Sequence, residues 1–376
     1  MDRRRFLELA ATGATALGVA GCEQAALMSP AQIESAVAED AGLPAIEWQM
    51  ATSWPPDPNS IFWGAQLVAA RVAAMTNSKF VIQPRAAGEL APGLEVLNVV
   101  AAGDVPIGHT VSHYYADRGA VTAFGAGLPF GLTARQQNAW LYEGGGLEML
   151  QEAYASRFNI VQFPAGNSGV QMGGWFNQEI SSVADLTGLK MRIPGFGGQV
   201  LERLGVTPQM LPVGEIFEAL NTGAIDAAEW VGPYEDERLK LHEAAAFYYY
   251  PGWWDPGSSV EIFINLDEWN GLPEQFREVL KTAAAEANLR VMARYDARNP
   301  AALSRLVNDV GTTLLPFPDD VMKAAEESAF ALFDEIAAGD ADFASIFKEW
   351  SAFRAAVQSW HGLAERGYLQ YVGQSR

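Results

Sequence analysis

Apolar residues along this chain come in short β-prone runs separated by stretches of helical spacing. Ile46 to Thr52 predicts a strand that ends in the turn-forming Pro55-Pro56-Asp57-Pro58. Asn59 or Ser60 then caps a helix with Phe62, Ala65, Ala69 and Val72 on one face. Phe80 to Gln83 predicts a strand, Leu94 to Ala102 a helix, and Val105 to Gly108 a third strand. Gly144-Gly145-Gly146 breaks a helical stretch, so Leu147 to Arg157 stands as a separate helix. Strand–helix alternation restarts at Ile160, and Pro273 to Tyr295, rich in Ala, Glu and Arg, predicts one long helix.

The densest alternation runs from Asp185 to Trp230. Lys190 to Ile193 is β-prone, and Pro194 stops it from running on as helix. Gly197 and Gly198 open a helix bearing Val200, Leu201 and Leu204; Glu215 to Leu220 starts another, which Thr222 and Gly223 end. Ala227 to Trp230 closes the run as a strand. Elements this short in strict alternation imply an α/β fold with a parallel sheet. Ligands of such sheets collect outside the carboxyl ends of the strands, where Arg192 and Glu229–Trp230 fall.

Composition narrows the function classes. A chain of 376 residues, 49% hydrophobic and 11% aromatic, is too long for one core and ample for two lobes. Its net charge of −20 repels nucleic acid and anionic lipid, so anion capture needs a local positive site. Arg3-Arg4-Arg5-Phe6-Leu7 precedes an uncharged small-residue run from Leu9 to Gly21, which makes residues 1–22 a signal peptide of twin-arginine type. Val19-Ala20-Gly21-Cys22 resembles a lipoprotein cleavage site, making Cys22 a candidate lipid anchor; plain cleavage to a soluble periplasmic protein is the alternative. Cys22 is the only cysteine, so no intrachain disulfide forms. Residues 23–44, rich in Ala, Ser, Gln and Glu, suit a flexible tether.

Asp185-Leu186, Gly188-Leu189-Lys190 and Arg192 follow the pattern D-L-x-G-L-K-x-R. Leu204-Gly205 comes next, and then Glu215, Ala219-Leu220, Gly223, Ile225-Asp226-Ala227 and Glu229 follow E-x-x-x-A-L-x-x-G-x-I-D-A-x-E. In these motifs the chain resembles the solute-binding proteins of TRAP transporters, over most of its length after about Glu47. Glu229-Trp230 with Val231-Gly232-Pro233 is most similar to the α-keto-acid-binding branch. The resemblance implies a two-lobe periplasmic solute-binding fold, with a long lobe-spanning helix and the ligand in the interlobe cleft. Residues 45–164 with about 258–300 would form lobe I, and 165–257 with about 301–342 lobe II. It further implies a receptor that delivers a small 2-oxo or 2-hydroxy monocarboxylate, pyruvate- or lactate-like, to TRAP membrane subunits. Arg192 would hold the substrate carboxylate, which a guanidinium grips through two parallel hydrogen bonds. Gln171 would be a ligand shared by substrate and metal.

Residue chemistry adds further candidates. Asn167 suits a keto or hydroxyl oxygen, or else forms a plain Asn-Ser-Gly turn. Tyr114, in His113-Tyr114-Tyr115, offers a hydroxyl to a carboxylate, while Phe196 and Trp253–Trp254 offer apolar walls or core packing. An acid beside an anion-binding arginine calls for a bridging cation, sodium or calcium. Gln171, Glu229, the Trp230 carbonyl and Glu261 supply the oxygen ligands such an ion takes. Glu261 alternates with Val260 and Ile262, so it faces opposite to them; solvent is the other reading of that face.

Enzyme motifs are missing: the four histidines lack HExxH spacing, and no G-x-S-x-G elbow occurs. The expectation is a non-enzyme, with a metal-assisted lyase or hydratase of small keto acids as the alternative. Near the end, Ile346, Trp350, Phe353, Val357 and Trp360 recur at the a/d spacing of a helix seam. Such a seam packs on its own lobe or on a second subunit, and the α-keto-acid branch does the latter. The expectation is a homodimer through residues 343–376 that buries Trp350 and Trp360.

Overall fold

The computed structural model describes residues 42–57 and 59–374. The leader, Cys22 and all but the end of the tether lie outside them. Contacts resolve two units, Ala45–Arg354 and one that holds the residues from Ala355 onward.

The strands of Ala45–Arg354 are β1 (Ile46–Thr52), β2 (Phe80–Arg85), β3 (Ile107–Thr110), β4 (Ile160–Asn167), β5 (Trp175–Phe176) and β6 (Lys190–Arg192). They continue with β7 (Thr207–Gln209), β8 (Ala227–Ala228), β9 (Phe247–Tyr250), β10 (Ser259–Asn265) and β11 (Thr313–Pro316). The helices that matter below are α1 (Phe62–Met75), α2 (Gly146–Phe158), α3 (Gly195–Arg203), α4 (Pro233–Arg238), α5 (Glu274–Ser304), α6 (Asp319–Gly339) and α7 (Ala341–Leu363). One sheet has the order β2-β1-β3-β10-β4, the other β11-β9-β5-β8-β6-β7. In the first, β1 lies parallel to β2 and β3, whereas β10 returns antiparallel between β3 and β4. In the second, β6 is parallel to both β7 and β8.

The two sheets make this a two-lobe α/β protein whose chain crosses between lobes three times. It leaves the first sheet after Asn167, re-enters it at Ser259, and crosses again along α5. Every residue of β4 and β10 is buried, as expected for strands covered on both faces; β10 is central in the sheet and β4 is its edge strand. Pro164, which has no N–H to donate, sits where the β4–β10 register shifts at Val260/Glu261. Along α5, Phe276 meets Phe80 of the first lobe at 5.3 Å, whereas Tyr295 donates to Glu235 of α4 in the second at 2.8 Å. The long helix thus spans both lobes. It outruns the expected end at Tyr295 because exposed Pro300 sacrifices one hydrogen bond without stopping it. A π-helical turn, Arg305–Val310, and Gly311 in the left-handed region end the run.

The C-terminal seam corrects one expectation. Phe343, Ile346 and Trp350 of α7 are buried within Ala45–Arg354, so Trp350 is not free to pack against a second subunit. Phe343 lies 4.8 Å from Phe124 and 6.1 Å from Phe196, and Trp350 meets Phe124 at 6.2 Å. The apolar stripe found its partners on its own chain. In the second unit α7 runs on to Leu363 and α8 (Glu365–Gln374) follows, with Trp360 59% exposed. Among the described residues no helix is long and apolar enough to cross a membrane. Trp350→Ala is expected to lower unfolding free energy by about 3–5 kcal/mol, read by urea denaturation; a change below about 0.5 kcal/mol would contradict this packing.

Candidate functional site

The site begins at the carboxyl ends of β6 and β8. These strands are parallel neighbours, and the Glu229 N–H donates to the Arg192 carbonyl at 3.1 Å, so Arg192 and Glu229 leave the sheet side by side. Arg192 is 1% exposed. Its Nη1 pairs with Glu229 Oε1 and donates to the Glu229 carbonyl at 3.1 Å, and its Nε reaches the Leu211 carbonyl at 3.3 Å. Nη2 is buried with no hydrogen-bond partner among the described residues. The Trp230 ring lies 5.5 Å from the guanidinium carbon. A buried charge with one unused donor edge is a ready anion receptor.

A small cavity opens beside this edge. Trp54, Val111 and Tyr114 wall it from the first lobe, and Gln171, Arg192 and Trp230 from the second. The Gln171 amide atom that faces the second lobe lies 3.3 Å from Glu229 Oε2 and 2.9 Å from the Trp230 carbonyl. As NH₂ it donates to both; as oxygen it completes a set of three oxygens that a cation alone holds together. Asp236, on α4, braces this corner by accepting from the Val231 and Gly232 N–H groups, from Trp175 and from Tyr248.

A second carboxylate, Asp255, reaches the same place from the segment that precedes β10. It is buried, lines an adjoining cavity with Glu229 and His113, and approaches His113 Nδ1 at 3.4 Å. Burial and then the charge of Glu229 hold its carboxyl well above the usual range. Burial likewise pushes Glu229 up to about 7, against the pull of Arg192. His113 is pushed the other way, down to about 3, by burial and by Arg192, so it brings no positive charge. One guanidinium therefore faces two carboxylates, and a bound acid would add a third. Such a site fits a cation. Among the described residues no three His, Cys, Asp or Glu side chains converge on a metal position. The fit therefore rests on carboxylate, amide and carbonyl oxygens, the donors of sodium or calcium rather than of zinc.

The other candidates divide. Tyr114 faces the cavity and packs 6.3 Å from Trp54; burial pushes the pKa of its hydroxyl up, while the neighbouring Arg192 opposes the rise. Phe196 lines the adjoining cavity and stacks into the Phe333–Phe343 cluster, so it is wall and core at once. Asn167 is fully engaged at the lobe crossing: it donates to the Gly257 carbonyl at 3.0 Å and accepts from Gly169 N–H at 2.8 Å. These bonds fasten the crossing. Glu261 is not with the others. Val260 points into the cavity, and alternation turns Glu261 to the other face of β10, against Ser112 and Gly125. The second carboxyl beside Glu229 is that of Asp255. The sequence signal for Asp255 was its position, three residues before the expected return at Ser258, where the chain must pass the cleft.

Two α/β lobes joined by three crossings, with a buried arginine aimed into the cleft, define an extracytoplasmic solute receptor. The chain belongs to the DctP family, bacterial extracellular solute-binding protein family 7, whose pattern matches residues 50–340. It is a solute receptor of the TRAP transporter class. Over 376 residues, all of both chains, it is 50% identical to the monocarboxylate 2-oxoacid-binding periplasmic protein of Nostoc sp. strain PCC 7120. A TRAP solute-binding protein of Bordetella bronchiseptica, a dimer with copurified calcium and picolinate, is 41% identical with TM-score 0.86, covering 88% of this chain and 98% of that one. A receptor of Pseudoalteromonas atlantica with bound sodium and pyruvate is 35% identical with TM-score 0.82, covering 86% and 98%.

Proposed function

We propose that this receptor binds a small 2-oxo or 2-hydroxy monocarboxylate together with a sodium or calcium ion and delivers it to TRAP membrane subunits. The observation that carries the reading is the buried Arg192 with its unused Nη2, set beside the oxygens of Gln171, Glu229, Trp230 and Asp255. Arg192 takes the carboxylate. Gln171, Glu229, the Trp230 carbonyl and Asp255 hold the cation, which supplies positive charge that offsets the two acids. Trp54, Tyr114 and Trp230 wall the small cavity beside the guanidinium, so the organic body the site takes is small and the lobes part to admit it. Similarity to receptors described with pyruvate, picolinate and 2-oxoacids supports this substrate class.

The lobes, 45–164 with about 258–300 and 165–257 with about 301–342, close on the acid and withdraw it from water. Without water, each charge in the site needs its partner. The leader of residues 1–22 carries the protein to the periplasm, where it works either free or anchored at Cys22. A homodimer forms through the residues beyond Arg354, not through Trp350. Trp360, Leu363, Tyr368 and Leu369, all exposed, supply the apolar surface.

Arg192→Ala is expected to weaken pyruvate binding by about 3–5 kcal/mol, because a buried carboxylate loses its partner. Arg192→Lys recovers only part of it, since an ammonium cannot form the two-bond fork. Calorimetry in calcium reads both; unchanged affinity in the alanine variant would remove Arg192 from the site, and a wild-type protein that binds no 2-oxo acid would sink the substrate reading. Truncation after Arg354 is expected to turn a dimer into a monomer in light scattering at tens of micromolar, and a full-length monomer there would defeat the dimer.

A further inference from the structure

The cavity leaves one charged residue of β10 unused. Glu261 is 2% exposed and pairs across the sheet with Thr110 of β3 and Pro164 of β4. Its side chain turns towards two short helical turns, Ser112–Tyr115 and Ala123–Ala126. A methyl group built on Gly125 would lie 2.6 and 2.7 Å from the two carboxyl oxygens and 2.7 Å from Ser112 Oγ. Three oxygens therefore crowd one bare backbone position, a cradle that any side chain at 125 would close.

The groups that face Glu261 can be named element by element. Ser112 presents its hydroxyl and N–H, Tyr154 of α2 its phenol, Gly125 only backbone, and the neighbouring strands Thr110 and Pro164. Among the described residues no basic side chain acts on the carboxyl. Ser112 is also the first residue of the turn whose next two residues reach the site. His113 approaches Asp255 at 3.4 Å, and Tyr114 lines the cavity beside Arg192.

We infer that Glu261 is a positioning residue for the ligand cavity: its carboxyl, seated against Ser112 and Gly125, fixes the turn that presents His113 and Tyr114 to the site. Burial pushes that carboxyl from its ordinary 4.5 up to about 8, although Ser112 beside it resists the rise; Glu261 Oε2 and Ser112 Oγ are both buried with no hydrogen-bond partner of ordinary geometry among the described residues. The folded protein thus holds this proton more tightly than the unfolded chain. The stabilisation is complete below about 4.5 and is lost as pH rises through about 8. Above that pH an unpaired anion stands in the core of the first lobe, and the Ser112–Tyr115 turn is the element that gives way.

The test uses the full-length protein and needs no ligand in its first arm. Hydrogen exchange of the Ser112–Tyr115 amides, corrected for intrinsic rate, is followed from about pH 6.5 to about pH 9.5. Protection in the wild type is expected to fall about tenfold across pH 8 and to stay level in Glu261→Gln, which keeps the shape without the ionisation. A second arm rests on the proposed ligand: pyruvate affinity in saturating calcium is expected to weaken over the same range in wild type and not in Glu261→Gln. Level wild-type protection, or an equal fall in both proteins, would overturn the assignment. If pyruvate fails to bind while the exchange arm behaves as stated, the ligand reading falls and Glu261 keeps its role. Should Glu261→Gln not fold, Ser112→Ala replaces it: reduced protection of the turn at every pH supports the contact, and wild-type protection refutes it.

Discussion

A guanidinium withdrawn from water has to be matched by negative charge, and the site is arranged around that requirement at Arg192. Glu229 answers it directly, because parallel β6 and β8 release the two residues side by side. The match is unfinished: Nη2 has no partner among the described residues, and Asp255 adds a second acid that no histidine neutralises. The site therefore has an open edge for an anion and two carboxyls whose ionisation burial resists and a cation would favour. Each makes room for the other. An acid that takes Arg192 displaces part of the claim of Glu229 on the guanidinium, and a cation gives Glu229 another partner. Binding of the two is coupled by electrostatics rather than by contact area.

The acidic surface adds to this logic. At net charge −20 the protein repels a carboxylate at long range and attracts a cation. A local ion that converts the cleft from repulsive to attractive lets an acidic envelope protein collect an anion. The lobe crossings at Asn167, Ser259 and α5 allow the two sheets to meet over that charge, and the bonds of Asn167 to Gly257 and Gly169 keep the first crossing firm.

Much of this arrangement was legible in the residues from Asp185 to Trp230, because strand, turn and helix there are short and their punctuation by Pro194, Thr222 and Gly223 is unambiguous. That spacing is enough to put Arg192 and Glu229 at adjacent strand ends. The second carboxylate was a different matter. Alternation said that Glu261 opposes Val260, but which of the two faces the cleft depends on what packs on each side of β10, and one strand does not carry that information. Asp255 lies in an irregular segment with no period at all, so only its nearness to the crossing marked it. Trp350 shows the same limit for helices. A seam at a/d spacing states that an apolar stripe exists, and its partner, Phe124 rather than a second subunit, is settled by tertiary packing. The two-residue strands β5 and β8 and the crossing at Asn167 likewise depend on pairing over long distances, beyond what local pattern specifies.

The most direct measurement is the linkage between ion and acid. Pyruvate binding is titrated by calorimetry in chelator with a bulky organic cation, in sodium and in calcium, and calcium binding is titrated with and without pyruvate. Coupling through Arg192 and Glu229 requires the acid to bind at least about tenfold tighter with one of the ions, and calcium to gain by the same factor from pyruvate. Identical pyruvate affinity in all three buffers would contradict a shared site and leave Gln171, Glu229 and Asp255 as ordinary polar wall.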